Sequence, residues 1–315
     1  MLSVIIPAYN EEAMLQKAAS VIGSLLSNNQ ISHELIFVDD GSKDRTWELI
    51  QAQAAIQPQV RGVHFSRNFG KEAAIMAGLA DAEGDCCVVI DCDLQHPPEK
   101  IVEMYALWQQ GYEIVEGRKS SRGKEDALHS LGAKGFYALI SSATGIDMAN
   151  ASDFKLLDRQ AVNVLLNMRE RNAFFRALSS WIGFKTTYVE FDVREREAGV
   201  TKWSPLSLVK YAVSNISSFS AAPMQIVTIL GVIMFLSSVV LGGISLAQKF
   251  MGQALEGFTT VILIQLFSSS IIMISLGIIG YYIARIYEEI KGRPRYIVAS
   301  RVRGDADEAA DGKTV

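Results

Sequence analysis

Cys86-Cys87-Val88-Val89-Ile90-Asp91-Cys92-Asp93-Leu94-Gln95-His96-Pro97-Pro98-Glu99 is the stretch on which the fold turns. Its first five residues are a short apolar run, the pattern of a strand buried on both faces. The run stops at Asp91. Pro97 stands near the first turn of a following helix, where its missing N–H is harmless. Asp91 and Asp93 are two apart directly after the strand. Two carboxylates so placed can aim hard oxygens at one divalent cation, and Mg2+ or Mn2+ takes such ligands with phosphate oxygens completing the shell. A DxD is also a common turn or helix cap, so its place at a strand end is what favours the metal reading. Cys92 reads as a packing residue between the two acids, and His96 as a structural loop residue.

The same rhythm extends on both sides. Residues 2–6 are a short apolar run ended by Pro7, and 11–26 have helical spacing. Residues 34–38 form a second strand, ended by Asp39-Asp40-Gly41-Ser42, and Asp44 can cap the helix through Trp47 and Ile50. Strand 60–64, helix 71–80, strand 86–90, helix 97–110 and strand 114–116 follow; Asp158-Arg159 reads as a further helix start. This alternation predicts an α/β domain with a mostly parallel sheet covered by helices. Ligands of such sheets bind beyond the carboxyl ends of the strands, where Asp39, Asp40, Asp91 and Asp93 all lie. Adjacent acids repel, so one of Asp39 and Asp40 is a candidate for a base or ribose, and one for an Asx turn. There is no GxxxxGK[ST] and no GxGxxG, so neither a P-loop nor the usual dinucleotide fingerprint is present.

Composition narrows the class further. The chain has 315 residues, 49% hydrophobic and 20% charged, with a net charge of −4. That excludes a disordered chain and gives no sign of nucleic-acid binding. Cys86, Cys87 and Cys92 form no CxxC pair, which excludes a disulfide framework and points to a reducing cytosol. No Asp, Glu, Lys or Arg occurs at 211–248 or 257–284. A bilayer core needs about 20 apolar helical residues, so 224–247 and 258–284 are predicted transmembrane helices. The tip between them carries Lys249 and Glu256, whereas the outer flanks carry Lys202, Lys210, Arg285, Lys291, Arg293 and Arg295. Positive-inside asymmetry puts both ends in the cytoplasm. The N-terminus lacks the charged and long apolar regions of a signal peptide. The expected organisation is an α/β domain at 1–203, an interfacial amphipathic linker at 204–222, the membrane hairpin at 223–285 and a cytoplasmic tail at 286–315.

Four ordered motifs then carry a resemblance: Ile5-Ile6-Pro7-Ala8-Tyr9-Asn10-Glu11-Glu12, Val38-Asp39-Asp40-Gly41-Ser42, Ser66-Arg67-Asn68-Phe69-Gly70-Lys71-Glu72 and Asp91-Cys92-Asp93-Leu94-Gln95-His96-Pro97-Pro98. The chain resembles family 2 glycosyltransferases of the GT-A fold. Within them it is similar to polyprenyl-phosphate glycosyltransferases: dolichol-phosphate mannose synthases and, more closely, bacterial bactoprenol-phosphate glucosyltransferases. The likeness runs over residues 2–298, the two apolar segments included. It implies that Pro7, Tyr9, Glu11, Asp39 or Asp40, Lys71, Asp91 and Lys202 bind the nucleotide sugar, and that Asp91, Asp93 and Gln95 surround a Mg2+ or Mn2+ ion. Asn150-Ala151-Ser152-Asp153-Phe154-Lys155-Leu156 matches a motif usually written with Gly before the acid, and makes Asp153 the candidate catalytic carboxylate. Arg118 and Arg122, with Lys124, correspond to the loop that binds the acceptor phosphate. Arg196-Glu197-Ala198-Gly199-Val200-Thr201-Lys202-Trp203 matches a phosphate-touching lid.

The implied activity is inverting, metal-dependent transfer of a hexose, with glucose from UDP-glucose expected, to undecaprenyl phosphate. The implied setting is the cytoplasmic face of the bacterial inner membrane. The implied partners are the nucleotide sugar, the lipid phosphate, membrane lipid and further copies of the chain as a tetramer, without nucleic acid. The alternatives are a formamido-arabinose transferase of the same architecture and a non-catalytic membrane scaffold; intact Asp91 and Asp93 argue against the scaffold. A processive synthase is disfavoured because the Q-x-x-R-W stretch is absent.

Overall fold

The first apolar run forms β1 (Leu2–Ala8), an inner strand of the eight-stranded sheet in the computed structural model, which describes residues 1–120, 152–168, 174–192, 222–251 and 257–304. β1 pairs in parallel with β2 (His33–Asp39) on one side and β4 (Cys86–Val89) on the other, and β3 (Val60–Phe65) continues the parallel set beyond β2. Parallel neighbours need a crossover. Here the crossovers are helices α1 (Leu15–Asn28), α2 (Thr46–Ile56) and α3 (Lys71–Asp81). With helices on the sheet faces, consecutive strand residues are buried: Val4, Ile5 and Ile6, and Leu35, Ile36 and Phe37, are all inaccessible. This is the physical reason that these strands read as unbroken apolar runs. α1 starts four residues after the helical spacing does, because Glu11 first closes a turn, its carbonyl accepting the N–H groups of Met14 and Leu15 at 3.0 and 3.1 Å.

The other half of the sheet is mixed. α4 (Glu99–Gln109) leads to β5 (Ile114–Lys119). β6 (Lys155–Asp158) runs antiparallel between β4 and β5, and β7 (Thr186–Phe191) lies parallel to β5 at the edge. Asp158 caps α5 (Arg159–Asn167) by accepting the Gln160 N–H at 2.8 Å, as expected of a helix start. α6 (Phe175–Trp181) is a short helix between α5 and β7. The full strand order is β7-β5-β6-β4-β1-β2-β3-β8. The mostly parallel α/β sheet expected from the sequence is the sheet observed.

β8 (Val298–Arg303) was not expected: it falls within the stretch read as a tail. It pairs antiparallel with β3 and closes the far edge. Tyr296, just before it, stacks on Phe65 with ring centroids 5.0 Å apart. Arg301 and Arg303 reach Asp81 and Glu83 at 3.3 and 2.9 Å. Those two acids also face Arg61, a buried guanidinium held by Glu34 at 2.6 Å and Asp81 at 2.9 Å. The chain accordingly divides into one unit of Met1–Lys202 with Arg293–Val315, and a second of Trp203–Gly292.

The second unit holds α7 (Ala222–Phe250) and α8 (Phe258–Ile290). At 29 and 33 residues they are about 43 and 50 Å long, against a hydrocarbon core of roughly 30 Å. Their apolar windows, Val227–Ile244 and Ile264–Ile290, have no buried share, and Phe235, Leu236, Phe267 and Met273 are more than half exposed. By length and composition both helices can cross a membrane.

Candidate active site

The carboxyl ends of β1, β2 and β4 converge on one open cleft of about 300 Å3, lined by Pro7, Tyr9, Glu11, Asp40, Lys71, Asp91 and Asp93. Its walls are stitched together by side chains. Asn10, left-handed at φ 56°, accepts the Lys43 N–H on its side-chain oxygen at 2.9 Å, while Ser42 Oγ accepts the Asn10 N–H at 2.8 Å. Thr46 Oγ1 accepts the Glu11 N–H at 2.9 Å. Gly41 is required by shape: at φ +66° a Cβ would stand 2.4 Å from the Arg67 carbonyl carbon. That close approach brings the 66–70 loop against the end of β2. Asp40 then secures the loop, accepting the N–H groups of Phe69 at 2.6 Å and Gly70 at 2.9 Å. Burial raises the Asp40 pKa above its ordinary value against the pull of those two donors. Asp39 is fully buried and is used inside the fold, accepting the Ser42 N–H at 3.1 Å and pairing with His64 Nδ1 at 2.7 Å. The two adjacent acids thus have separate duties: Asp39 braces the β2–β3 ends and Asp40 faces the cleft.

Lys71, the first residue of α3, links the two acidic motifs. Its Nζ lies 2.6 Å from Asp91 Oδ1 and 2.8 Å from Asp153 Oδ2. Desolvation alone would lower the ammonium pKa; the two carboxylates outweigh it and hold it above the ordinary lysine value. Asp153, buried just before β6, is also gripped by Arg176 of α6. Arg176 Nε donates to Oδ1 at 2.6 Å and Nη2 to Oδ2 at 2.9 Å, a two-point fork. Burial would raise the Asp153 pKa, but Lys71 and Arg176 drive it far below the usual carboxylate range. Asp153 is therefore a poor proton acceptor and a strong organiser of cations.

The supports of these cations are built into the fold. Glu72 accepts the Phe175 N–H at 2.8 Å, tying the start of α3 to the start of α6. Burial and the neighbouring Asp153 charge push the Glu72 carboxyl up to about 7. Lys155, wholly buried on β6, donates to Glu116 at 2.7 Å, to Ser179 Oγ at 2.9 Å and to the Arg176 carbonyl at 3.3 Å. It fastens α6 to β5 and β6. An ammonium buried this completely needs such a full set of partners.

The residues present suit a divalent cation. Asp91 and Asp93 both face the cleft, and their carboxylates are hard oxygen donors. His96 is buried beside them, its Nδ1 without a hydrogen-bond partner among the described residues and 3.9 Å from Asp91 Oδ2; burial lowers its pKa and favours the neutral ring. Among the described residues no three His, Cys, Asp or Glu side chains converge as a complete cage. A cation here would need further oxygens from substrate and water, which is the usual way Mg2+ is held.

With this geometry in hand, the comparisons with known proteins decide the family. The sequence model of glycosyl transferase family 2 matches residues 3–165. An uncharacterized glycosyltransferase, YkcC, of Bacillus subtilis is 40% identical over 298 residues, covering 94% of this chain and 92% of the relative. The chain belongs to glycosyl transferase family 2. This glycosyltransferase is also 34% identical to the SfII prophage-derived bactoprenol glucosyl transferase of Shigella flexneri, over 96% of this chain and 99% of that one. It is 36% identical to the prophage bactoprenol glucosyl transferase homolog of Escherichia coli, over 94% and 98% of the two chains. The sheet is the GT-A fold expected from the motifs.

In this glycosyltransferase, Pro7, Tyr9, Glu11, Asp40, Lys71, Asp91 and Asp93 come together at the cleft, with Asp153 bonded to Lys71 behind them. Gln95 lies on the same turn, its N–H donating to Asp93 Oδ1 at 3.1 Å. Arg118 stacks its guanidinium 4.2 Å over the Tyr188 ring and reaches 3.5 Å from Glu116. Arg122, Lys124 and Lys202 lie outside the described residues. Arg176 and the Lys155–Glu116 pair were not found from the sequence. Arg176 belongs to none of the motifs quoted from the sequence, and its role shows only where α6 brings it onto Asp153.

Proposed function

We propose that the protein transfers glucose from UDP-glucose to undecaprenyl phosphate, with inversion, on the cytoplasmic face of a bacterial inner membrane. The observation that carries this reading is the near-complete alignment with proteins named bactoprenol glucosyl transferase, which takes in both the cleft-bearing sheet and the two apolar helices. The cleft supports it chemically. Pro7, Tyr9, Glu11 and Asp40 line the cleft and would hold the nucleoside, and Lys71, paired with Asp91, would face the diphosphate. Asp91 and Asp93 would hold Mg2+ or Mn2+, which when bound neutralises charge on the leaving nucleoside diphosphate.

The transfer breaks the bond between the anomeric carbon and the donor phosphate oxygen, and forms one to an oxygen of the lipid phosphate. UDP departs with the bonding electrons. Attack from the opposite face inverts the sugar. A phosphate monoester is already ionised near neutrality, its second pKa being about 6, so no strong base is needed. That agrees with an Asp153 whose two oxygens are occupied by cations.

The return of β8 to the sheet supports the topology. β7 and β8 precede and follow the apolar helices in sequence and belong to the same sheet, which supports a reading with both ends of the intervening segment on one side of a membrane. Two crossings satisfy that constraint. Exposed apolar surface disfavours water by roughly 25 cal/mol per Å2, which gives α7 and α8 their reason to enter lipid.

The test is a donor panel. Purified protein is incubated with undecaprenyl phosphate and one of several UDP-, GDP- or TDP-sugars, and the lipid product is analysed for sugar and anomeric configuration by NMR. UDP-glucose giving a β-linked product supports the reading. A different sugar revises the donor, and a retained α-linkage overturns the mechanism.

A further inference from the structure

We propose that Arg176 binds the phosphate monoester of the acceptor, exchanging its fork on Asp153 for an equivalent fork on phosphate. The proposal rests on the reading of the protein as a transferase to a lipid phosphate. Three observations carry it.

The first is the geometry of the fork. Arg176 presents Nε and Nη2 to Asp153 at 2.6 and 2.9 Å. The same planar pair of donors fits two oxygens of a phosphate, so the exchange swaps one forked oxyanion for another. Asp153 would keep Lys71 as a partner at 2.8 Å when the guanidinium turns away.

The second is position. Lys71 lines the nucleotide-side cleft, whereas Arg176 does not, although both touch Asp153 Oδ2. The side chain of Arg176 is 34% exposed, while its carboxylate partner is buried. The reaction brings a diphosphate and a phosphate monoester together. Lys71 serves the first, and the second needs a cation off the nucleotide cleft.

The third is support. α6 is held at both ends of the Arg176 region: Glu72 accepts the Phe175 N–H, and buried Lys155 grips the Arg176 carbonyl and the Ser179 hydroxyl. A helix fixed so firmly to the sheet gives the guanidinium a defined place, which recognition of a small anion requires.

The experiment is initial-rate kinetics on the full-length protein in detergent micelles, with undecaprenyl phosphate and UDP-glucose varied separately, and UDP affinity read by calorimetry. Arg176→Ala is expected to raise the KM for the lipid about tenfold to a hundredfold, the loss of a charge-assisted pair. UDP affinity is expected to change by less than about threefold, as for a residue outside the donor site. Arg176→Lys keeps the charge facing Asp153 and is the variant to use if Arg176→Ala does not fold. Its lipid KM is still expected to rise at least about fivefold, because lysine lacks the planar fork. A lipid KM within twofold of wild type in either variant overturns the assignment. An equal loss of lipid and UDP affinity moves Arg176 to the donor phosphates and overturns it as well. If the wild-type protein gives no lipid product with any nucleotide sugar, the functional reading itself fails, a result separate from failure of the variant.

Discussion

Lys71 Nζ meets Asp91 Oδ1 at 2.6 Å, joining the first residue of a helix to the acid that ends a strand. The ammonium is shared with Asp153, so one positive charge ties the metal-type motif to the buried carboxylate behind it. In a reaction that expels a nucleoside diphosphate, a fixed cation at this point stabilises charge as it develops. Lys71→Met is expected to lower kcat by about a hundredfold to a thousandfold, the loss typical of one preorganised charge-stabilising donor. Steady-state transfer rates check this, with circular dichroism to show that the variant is folded. A loss in KM for UDP-glucose alone would assign Lys71 to ground-state binding.

Asp93→Ala should abolish transfer while leaving the melting temperature within a few degrees of wild type, because Asp93 is a partly exposed cleft residue and not a core one. Chelation with EDTA should silence the wild-type protein in the same assay. Added Mg2+ or Mn2+ should restore wild type and not the variant. Activity of Asp93→Ala within a few-fold of wild type would remove the metal assignment from this turn.

Gly41→Ala tests the architecture of the cleft. Its Cβ would collide with the backbone of Arg67 and Asn68 at 2.4 and 2.7 Å, in a left-handed conformation that alanine resists. The expected cost is about 1–3 kcal/mol, set by backbone strain. Because the displaced loop carries the N–H groups that Asp40 holds, the KM for the nucleotide sugar should rise with the loss of stability. Denaturant unfolding and donor kinetics together check this.

Glu72 gives a pH dependence of definite sign. Its carboxyl rises from an ordinary 4.5 to about 7 in the folded protein, through burial first and the Asp153 charge second. The folded state therefore holds this proton more tightly than the unfolded chain. Its contribution to stability is full below pH 4.5 and is lost as pH rises through about 7. Glu72→Gln keeps an oxygen to accept the Phe175 N–H and removes the titration. The melting temperature of the variant relative to wild type should rise between about pH 5 and pH 8. A difference that stays flat across that range would show that Glu72 does not titrate there.

Much of this arrangement was legible in the sequence, and the reason is local. Strands buried on both faces must be apolar runs, so 2–6, 34–38, 60–64 and 86–90 announced themselves, and the acids that stop them fell at the ligand-binding edge. The cleft residues Pro7, Asp40, Asp91 and Asp93 follow directly from that edge. What stayed hidden depends on distant partners. β8 shows alternating exposure from Val298 to Arg303, a faint period-two signal, but nothing in those six residues says that they pair with β3 across the whole apolar segment. β6 runs antiparallel between β4 and β5, a pairing that alternating strand and helix do not foretell. Arg176 looks like any surface arginine until α6 brings it onto Asp153. Lys155 looks like a polar break in a strand until Glu116 and two serines surround it.

The most direct test of the account is the mass of the lipid after reaction. Purified full-length protein, undecaprenyl phosphate, UDP-glucose and Mg2+ are incubated, and the extracted lipid is weighed by mass spectrometry beside an Asp93→Ala control. The account predicts undecaprenyl phosphate heavier by one hexose in the wild-type sample and unchanged lipid in the control. Unchanged lipid in both samples, with glucose released only to water or not at all, would contradict transfer to a lipid phosphate.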